Sequence, residues 1–355
     1  MPASERERQP TVVRLSDLSS IVVAVEHMVG FRPAESLVAV ALCGPRERMS
    51  FSLRLDLPGP GDGDAVVDAI AAEVAKRMAK ARADAVMLFV HSDAAPVDGR
   101  LPHQRLVDIV TAGLEAPLRE ATLVGPERLW SYLCDDDRCC PAGGRPIERQ
   151  SPAALTLAAE HAALGNVVLG SRDELVATVR PLGGIAATSM RQAQDRAIEA
   201  MLDRGLVGFA DDVGQEIDSL SERFADPRAS LTDDEAARVA IGLGDRLLRD
   251  RMFVRLSDPH EEGLRRLLSA VARRAQPPDD AAVCTCVGYA AYLDGSGVIA
   301  GAAFERALDT DPSYLMALYL ATMLEHQIAP EEVRKCGADI DREVERRIRS
   351  RRRRR

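Results

Sequence analysis

Aromatic residues are scarce in this chain. Phe, Trp and Tyr make up 4% of its 355 residues, with a single Trp, so Ala, Leu and Val must carry most of the packing. Lysine occurs only at positions 76, 80 and 335, leaving 43 of the 46 basic residues as Arg, and Asn occurs once, at 166. A GC-rich coding sequence produces such a skew, so Arg clusters and Ala-rich helices carry less functional information than usual. No apolar run is long enough to cross a bilayer, and the first ten residues, MPASERERQP, hold no signal-peptide core. Basic excess is missing as well: the net charge is -9, which argues against a generally basic nucleic-acid-binding surface. Seven cysteines, an odd and unevenly spread set, do not suit a secreted disulfide framework. The expectation is a soluble cytoplasmic protein with no membrane span. Phosphate-loop, dinucleotide-binding and H-E-x-x-H motifs are all absent, and no other catalytic signature stands out.

What is present is a clear change of pattern along the chain. Residues 1–13 are polar and charged and read as a disordered N-terminus. Ser16 is the expected cap of a helix that stops at Gly30. Residues 37–42 (LVAVAL) suit a buried strand. Residues 49–57 (MSFSLRLDL) alternate, with Met49, Phe51, Leu53, Leu55 and Leu57 on one face, and Gly44-Pro45 predicts a hairpin between the two strands. A helix over 65–81, a strand over 85–90, a helix over 102–118 and short strands over 120–124 and 128–133 complete an α/β pattern with part of its sheet parallel. From about residue 150 onward the periodicity is helical. Expected helices include 212–224, 232–249 with a capping box at Thr232–Glu235, and 257–275. The predicted organisation is an α/β domain over 14–150, a short mixed sheet with flanking helices, then an all-α domain over 151–337 and an Arg-rich tail over 338–355. The helices flanking Asp294-Gly-Ser-Gly297, with small residues Ala290, Gly301 and Ala302, predict a tetratricopeptide-like helical hairpin.

Several residues carry candidate chemistry. Arg32, Glu35 and Ser36 precede the first strand and can bind an anion or polar ligand at its edge; an ion pair of Arg32 with Glu35 or Asp56 that merely pins a turn is the plainer alternative. Arg54 and Asp56 lie on the polar face of the second strand. His91, Ser92 and Asp93 follow the strand over 85–90, where open α/β sheets gather their ligands. Trp130 and Tyr132 lead into Cys134, Cys139 and Cys140, three thiols within seven positions that can converge on a soft metal such as Zn, support redox chemistry, or simply pack beneath the two rings. The other cysteines, Cys43, Cys284, Cys286 and Cys336, read as core residues. Eight Arg in residues 346–355 give a tail with non-specific affinity for nucleic acid or an anionic surface.

Taken together, Gly30-Phe-Arg-Pro-x-x-Ser36-Leu-Val, Arg54-Leu-Asp-Leu-Pro58, Trp130-Ser-Tyr132-x-Cys134, Cys139-Cys140-Pro141, Arg249-Asp250 and Ala307-Leu-x-x-Asp311-Pro-x-Tyr314 resemble an actinobacterial family of domains of unknown function, number 4192, over about residues 14 to 335. The resemblance implies kinship and carries no activity with it. Two functions fit the sequence. One is a protein-interaction or scaffold module, suggested by the helical hairpin. The other is an enzyme or small-ligand sensor with a site between the sheet edge and the helical half, drawing on the residues above and on the Trp130–Cys140 loop.

Overall fold

The computed structural model describes residues 17–134, 136–163, 168–335 and 346–347. The expected disordered N-terminus, Cys336 and the Arg run beyond 347 lie outside the described residues. Two compact units divide the chain, residues 1–172 and 173–355. No helix among the described residues is long and apolar enough to cross a membrane.

The first unit holds one mixed, six-stranded sheet. Its strands are β1 (Ser36–Cys43), β2 (Arg48–Asp56), β3 (Ala85–His91), β4 (Leu118–Val124), β5 (Arg128–Ser131) and β6 (Arg145–Pro146), in the order β2-β1-β3-β4-β5-β6. The expected hairpin joins β1 and β2, and β3 and β4 run parallel across helix α3 (Gln104–Gly113). Alternation decides which side chain meets which layer. Leu37, Ala39, Ala41, Val86, Leu88, Val90, Ala121 and Leu123 face helix α2 (Asp64–Lys80) and α3, packing on Ala71, Val74, Met78, Leu106, Val107 and Val110. Helices α1 (Leu18–Val29) and α4 (Pro152–Ala163) pack on each other through Val23, Ala24, Ala154 and Leu157.

Three local expectations change in this unit. The cap of α1 is Asp17, not Ser16: its carboxylate accepts from the Ser20 backbone N–H at 2.8 Å. The helix expected over 102–118 is shorter, because Leu114 is extended and β4 begins at Leu118. Met49 does not share a face with Phe51, Leu53, Leu55 and Leu57. A register shift pairs Ala41 with Phe51 and Leu42 with Met49, so Ser50 is an extra residue and Met49 turns to the α1–α4 layer. Ser50 Oγ donates to the Ala41 carbonyl at 3.2 Å, holding the bulge.

The second unit is helical throughout its described residues: α5 (Arg172–Ala177, which begins at the divide), α6 (Gly184–Arg204), α7 (Leu206–Arg223), α8 (Asp233–Gly242), α9 (Arg246–Leu256), α10 (Glu262–Arg274), α11 (Ala281–Leu293), α12 (Gly297–Thr310) and α13 (Leu315–Glu325). The capping box on α8 is present, but the helix expected over 232–249 is broken: α8 ends at Gly242 and α9, capped by Asp245, begins at Arg246. Helix α7 starts six residues before the expected 212, directly after Gly205, whose φ of +76° suits glycine. The helix expected over 257–275 is α10 alone, because α9 ends at Leu256 and a turn over 257–261 separates them. Helices α11 and α12 form the expected hairpin, but its close approach lies at Gly288, where a Cβ would stand 2.4 Å from the Phe304 ring. A Cβ at Gly301 would meet only the Leu324 side chain, at 3.8 Å, among the described residues outside its own helical turn. Cys284 and Cys286 are buried in α11, as expected of core thiols.

Candidate functional site

Alternation leaves Ser36, Arg54, Asp56 and His91 on the sheet face opposite α2 and α3. Ser36 is the register partner of both Asp56 and His91, so strand pairing alone sets these side chains side by side. Ser36 is fully buried; its hydroxyl donates to the Ala34 carbonyl at 2.6 Å and accepts from Arg54 Nε at 2.8 Å. Arg54 Nη2 also meets Asp56 at 2.6 Å. Of the expected ion-pair partners of Arg32, neither Glu35 nor Asp56 is the one observed. Arg32 lies 3.9 Å from Glu26, and Asp56 belongs to Arg54.

Glu26 closes the arrangement from α1. It is the lone acidic residue of that helix and is 4% exposed, a burial that a carboxylate tolerates only when paired. Its partner is Arg149, which comes from the segment before α4 and donates Nη1 to both carboxylate oxygens at 2.5 Å. Gly30 in the left-handed region ends α1 and turns the chain, and reciprocal backbone bonds at 3.0 Å, Arg32 N–H to Leu169 O and Leu169 N–H to Gly30 O, fix the backbone beside Arg32.

His91 is the centre of this buried cluster. It is 4% exposed, and its Nε2 has no hydrogen-bond partner among the described residues. Burial, and then the charges of Arg149 and Arg54, push its pKa down to about 3, so the ring is neutral at pH 7. A buried, unpaired ring nitrogen costs stability, and such groups in native proteins call for a specific explanation.

Glu35 borders the cluster from the neighbouring loop. Its φ of +41° is unusual for a non-glycine residue. Its carboxylate accepts from Ser92 Oγ at 3.0 and 3.1 Å and from the Asp93 N–H at 2.8 Å. Asp93 thus enters through its backbone, and its side chain is exposed. His103, at the start of α3, senses the Glu35 carboxylate, while its own burial draws its pKa below the ordinary value.

Of the sequence candidates, Arg32, Glu35, Ser36, Arg54, Asp56, His91 and Asp93 therefore gather around the ends of β1 and β3. Trp130 and Tyr132 do not join them. The Trp130 indole N–H donates to the Ala142 carbonyl at 3.1 Å, and the Tyr132 hydroxyl donates to the Pro102 carbonyl at 2.6 Å. Both rings fasten the sheet edge. Cys134, Cys139 and Cys140 form a separate cluster in the loop after β5, their sulfurs all within 4.8 Å of one another. Glu26, Arg149 and His103 are additions from the structure. Glu26 had a signal, a single carboxylate in the apolar stretch LSSIVVAVEHMV; Arg149 and His103 had none.

A family model described as a domain of unknown function, DUF4192, matches residues 19–331. The chain belongs to the DUF4192 family. The match spans both units of this DUF4192 protein, including the residues around His91, the thiol loop and the α11–α12 hairpin. No curated protein and no solved structure gives a significant match.

Proposed function

We propose that the first unit binds a small anion, a carboxylate or phosphate of metabolite size, in a crevice opening at the cluster of Ser36, Arg54, His91 and Arg149. The observation that carries this reading is the buried His91 Nε2, which has no hydrogen-bond partner among the described residues and feels the charges of Arg149 and Arg54. A neutral imidazole can donate one N–H to an oxygen, and the N–H groups that Arg54 and Arg149 do not spend on Ser36, Asp56 and Glu26 supply charge-assisted donors beside it. Glu26 and Asp56 hold the two guanidiniums in place. No group here is poised as a nucleophile, so binding rather than turnover is the reading. A reducing, cytoplasmic setting fits the free thiols of the described residues.

Thermal denaturation with a panel of carboxylates and phosphates tests it. At least one anion should stabilise the protein, by about 2.7 kcal/mol at a hundred times its dissociation constant. His91→Phe and Arg54→Leu should each remove that stabilisation while leaving the fold intact by circular dichroism. No stabilisation by any member, or equal stabilisation of wild type and His91→Phe, would discard the reading.

A protein-contact role for the helical unit has its own support. Leu315, Leu318 and Tyr319 make an i, i+3, i+4 stripe on α13, and Leu315 and Tyr319 are 61% and 63% exposed. The expected partner presents a complementary apolar surface. Affinity capture from native lysate should recover one stoichiometric protein that Leu315→Glu and Tyr319→Glu both lose; recovering none removes the support.

A further inference from the structure

We propose that Cys134, Cys139 and Cys140 form a site for one thiophilic d10 cation, Zn2+ or Cu+, bound through three sulfurs with a further position open. The inference is independent of the anion crevice and uses none of its residues.

Packing does not account for these thiols. Cysteines that serve as small apolar residues are buried, as Cys284 and Cys286 are in α11, at 1% and 0% exposure. Cys139 is exposed and Cys134 and Cys140 are half-buried, yet the three converge. The sulfurs of Cys134 and Cys139 lie 3.1 Å apart, and those of Cys139 and Cys140 3.8 Å. Tetrahedral thiolate ligation of Zn2+ at about 2.3 Å sets its sulfurs about 3.8 Å apart. One spacing already fits, and side-chain rotation can adjust the others.

Backbone hydrogen bonds shape the turn over residues 136–140. The N–H groups of Cys139 and Cys140 both donate to the Asp136 carbonyl, at 3.0 and 2.7 Å, turning the chain back toward Cys134. The two legs of the loop are stapled together below that turn. Trp130 holds Ala142, and Arg128 Nη1 donates to the carbonyls of Gly143 and Gly144 at 3.0 and 2.9 Å. Cys139 and Cys140 are thus held in one turn before a cation arrives, which lowers the ordering cost of binding. Soft sulfur ligands select Zn2+ and Cu+ over Mg2+ or Ca2+, which take oxygen. A three-sulfur set leaves room for an exogenous ligand, so the bound ion would remain accessible.

The test uses full-length, reduced protein under anaerobic conditions. It is titrated with Zn2+ and, separately, Cu+, each against a competing chromogenic chelator. One equivalent of at least one ion should bind, and Mg2+ should not compete. Bound ion should also slow alkylation of Cys134, Cys139 and Cys140, read by mass spectrometry, but not of Cys43. Cys134→Ser and Cys139→Ser should each weaken binding by at least about 100-fold, more than loss of an outer-shell contact costs. Cys43→Ser should have no effect. Should a loop variant misfold, the alkylation pattern of the wild type decides alone. Absence of stoichiometric binding, binding insensitive to the loop serines, or isolation of the loop only as a Cys134–Cys139 disulfide that takes no ion after reduction would overturn the proposal.

Discussion

Arg306 and Asp280 meet at 2.7 Å in an ion pair almost wholly shielded from water. The guanidinium also donates to the carbonyls of Val179, Ala272 and Ala275, and Thr310 donates to the other carboxylate oxygen at 2.8 Å. One side chain thus ties α12 to the end of α10, to the residues after α5, and to the start of α11. Removing one partner strands a buried charge. Asp280→Ala should destabilise the helical unit by about 3–5 kcal/mol in urea unfolding, and Arg306→Ala by a similar amount.

The hairpin of α11 and α12 separates two glycines that look alike in sequence. A Cβ at 288 collides with Phe304, whereas one at 301 meets only ordinary contacts. Gly288→Ala should cost about 1–3 kcal/mol through overpacking. Gly301→Ala should be neutral or stabilising by up to about 1 kcal/mol, since alanine favours helix. Thermal melts of the two variants make the comparison directly.

Gly144 lies against Trp130, the protein's only tryptophan. Its φ is +73°, and a Cβ there would stand 2.5 Å from the indole. Gly144→Ala should displace the ring, shift its fluorescence emission to the red, and break its bond to Ala142. By the same route it should weaken metal binding at the thiol loop.

Four histidines of the first unit, His27, His91, His103 and His161, have pKa values below the ordinary 6.5, each chiefly through burial. His27 and His161 stack with ring centroids 4.5 Å apart, which opposes charging either. A depressed histidine holds fewer protons folded than unfolded. Its contribution is complete above pH 6.5 and is lost as pH falls toward its folded value, for His91 about 3. Stability should therefore drop from pH 7 to pH 5, and His91→Gln should lessen the slope by up to about 1.4 kcal/mol per pH unit. Urea midpoints at a series of pH values read this out.

Much of this architecture was legible from period alone. LVAVAL, MSFSLRLDL and the helical runs after residue 180 declare their elements because burial of one face imposes a repeat of 2 or 3.6. Period does not tell which layer an element joins: α4 is recognisable as a helix, but only its contact with Val23 and Ala24 assigns it to the sheet unit. The cluster around His91 was half visible. Seven of its residues stand near strand ends, where ligands of α/β sheets collect, yet Arg149 lies 58 positions from His91 in sequence and reaches it only through the fold. For Trp130 and Tyr132 the sequence could not reveal that the indole N–H and the phenol already hydrogen-bond inside the unit, to Ala142 and Pro102.

The bulge at Ser50 has a mechanical consequence. Because β2 sends Met49 to one helical layer and Phe51 onward to the other, a single edge strand is sewn into both sides of the sheet. Neither layer can be peeled away without disturbing the strand that secures its counterpart. Loosening of α1 and α4 should therefore be felt by α2, and the sheet unit should melt as one cooperative body rather than shedding its helices in turn.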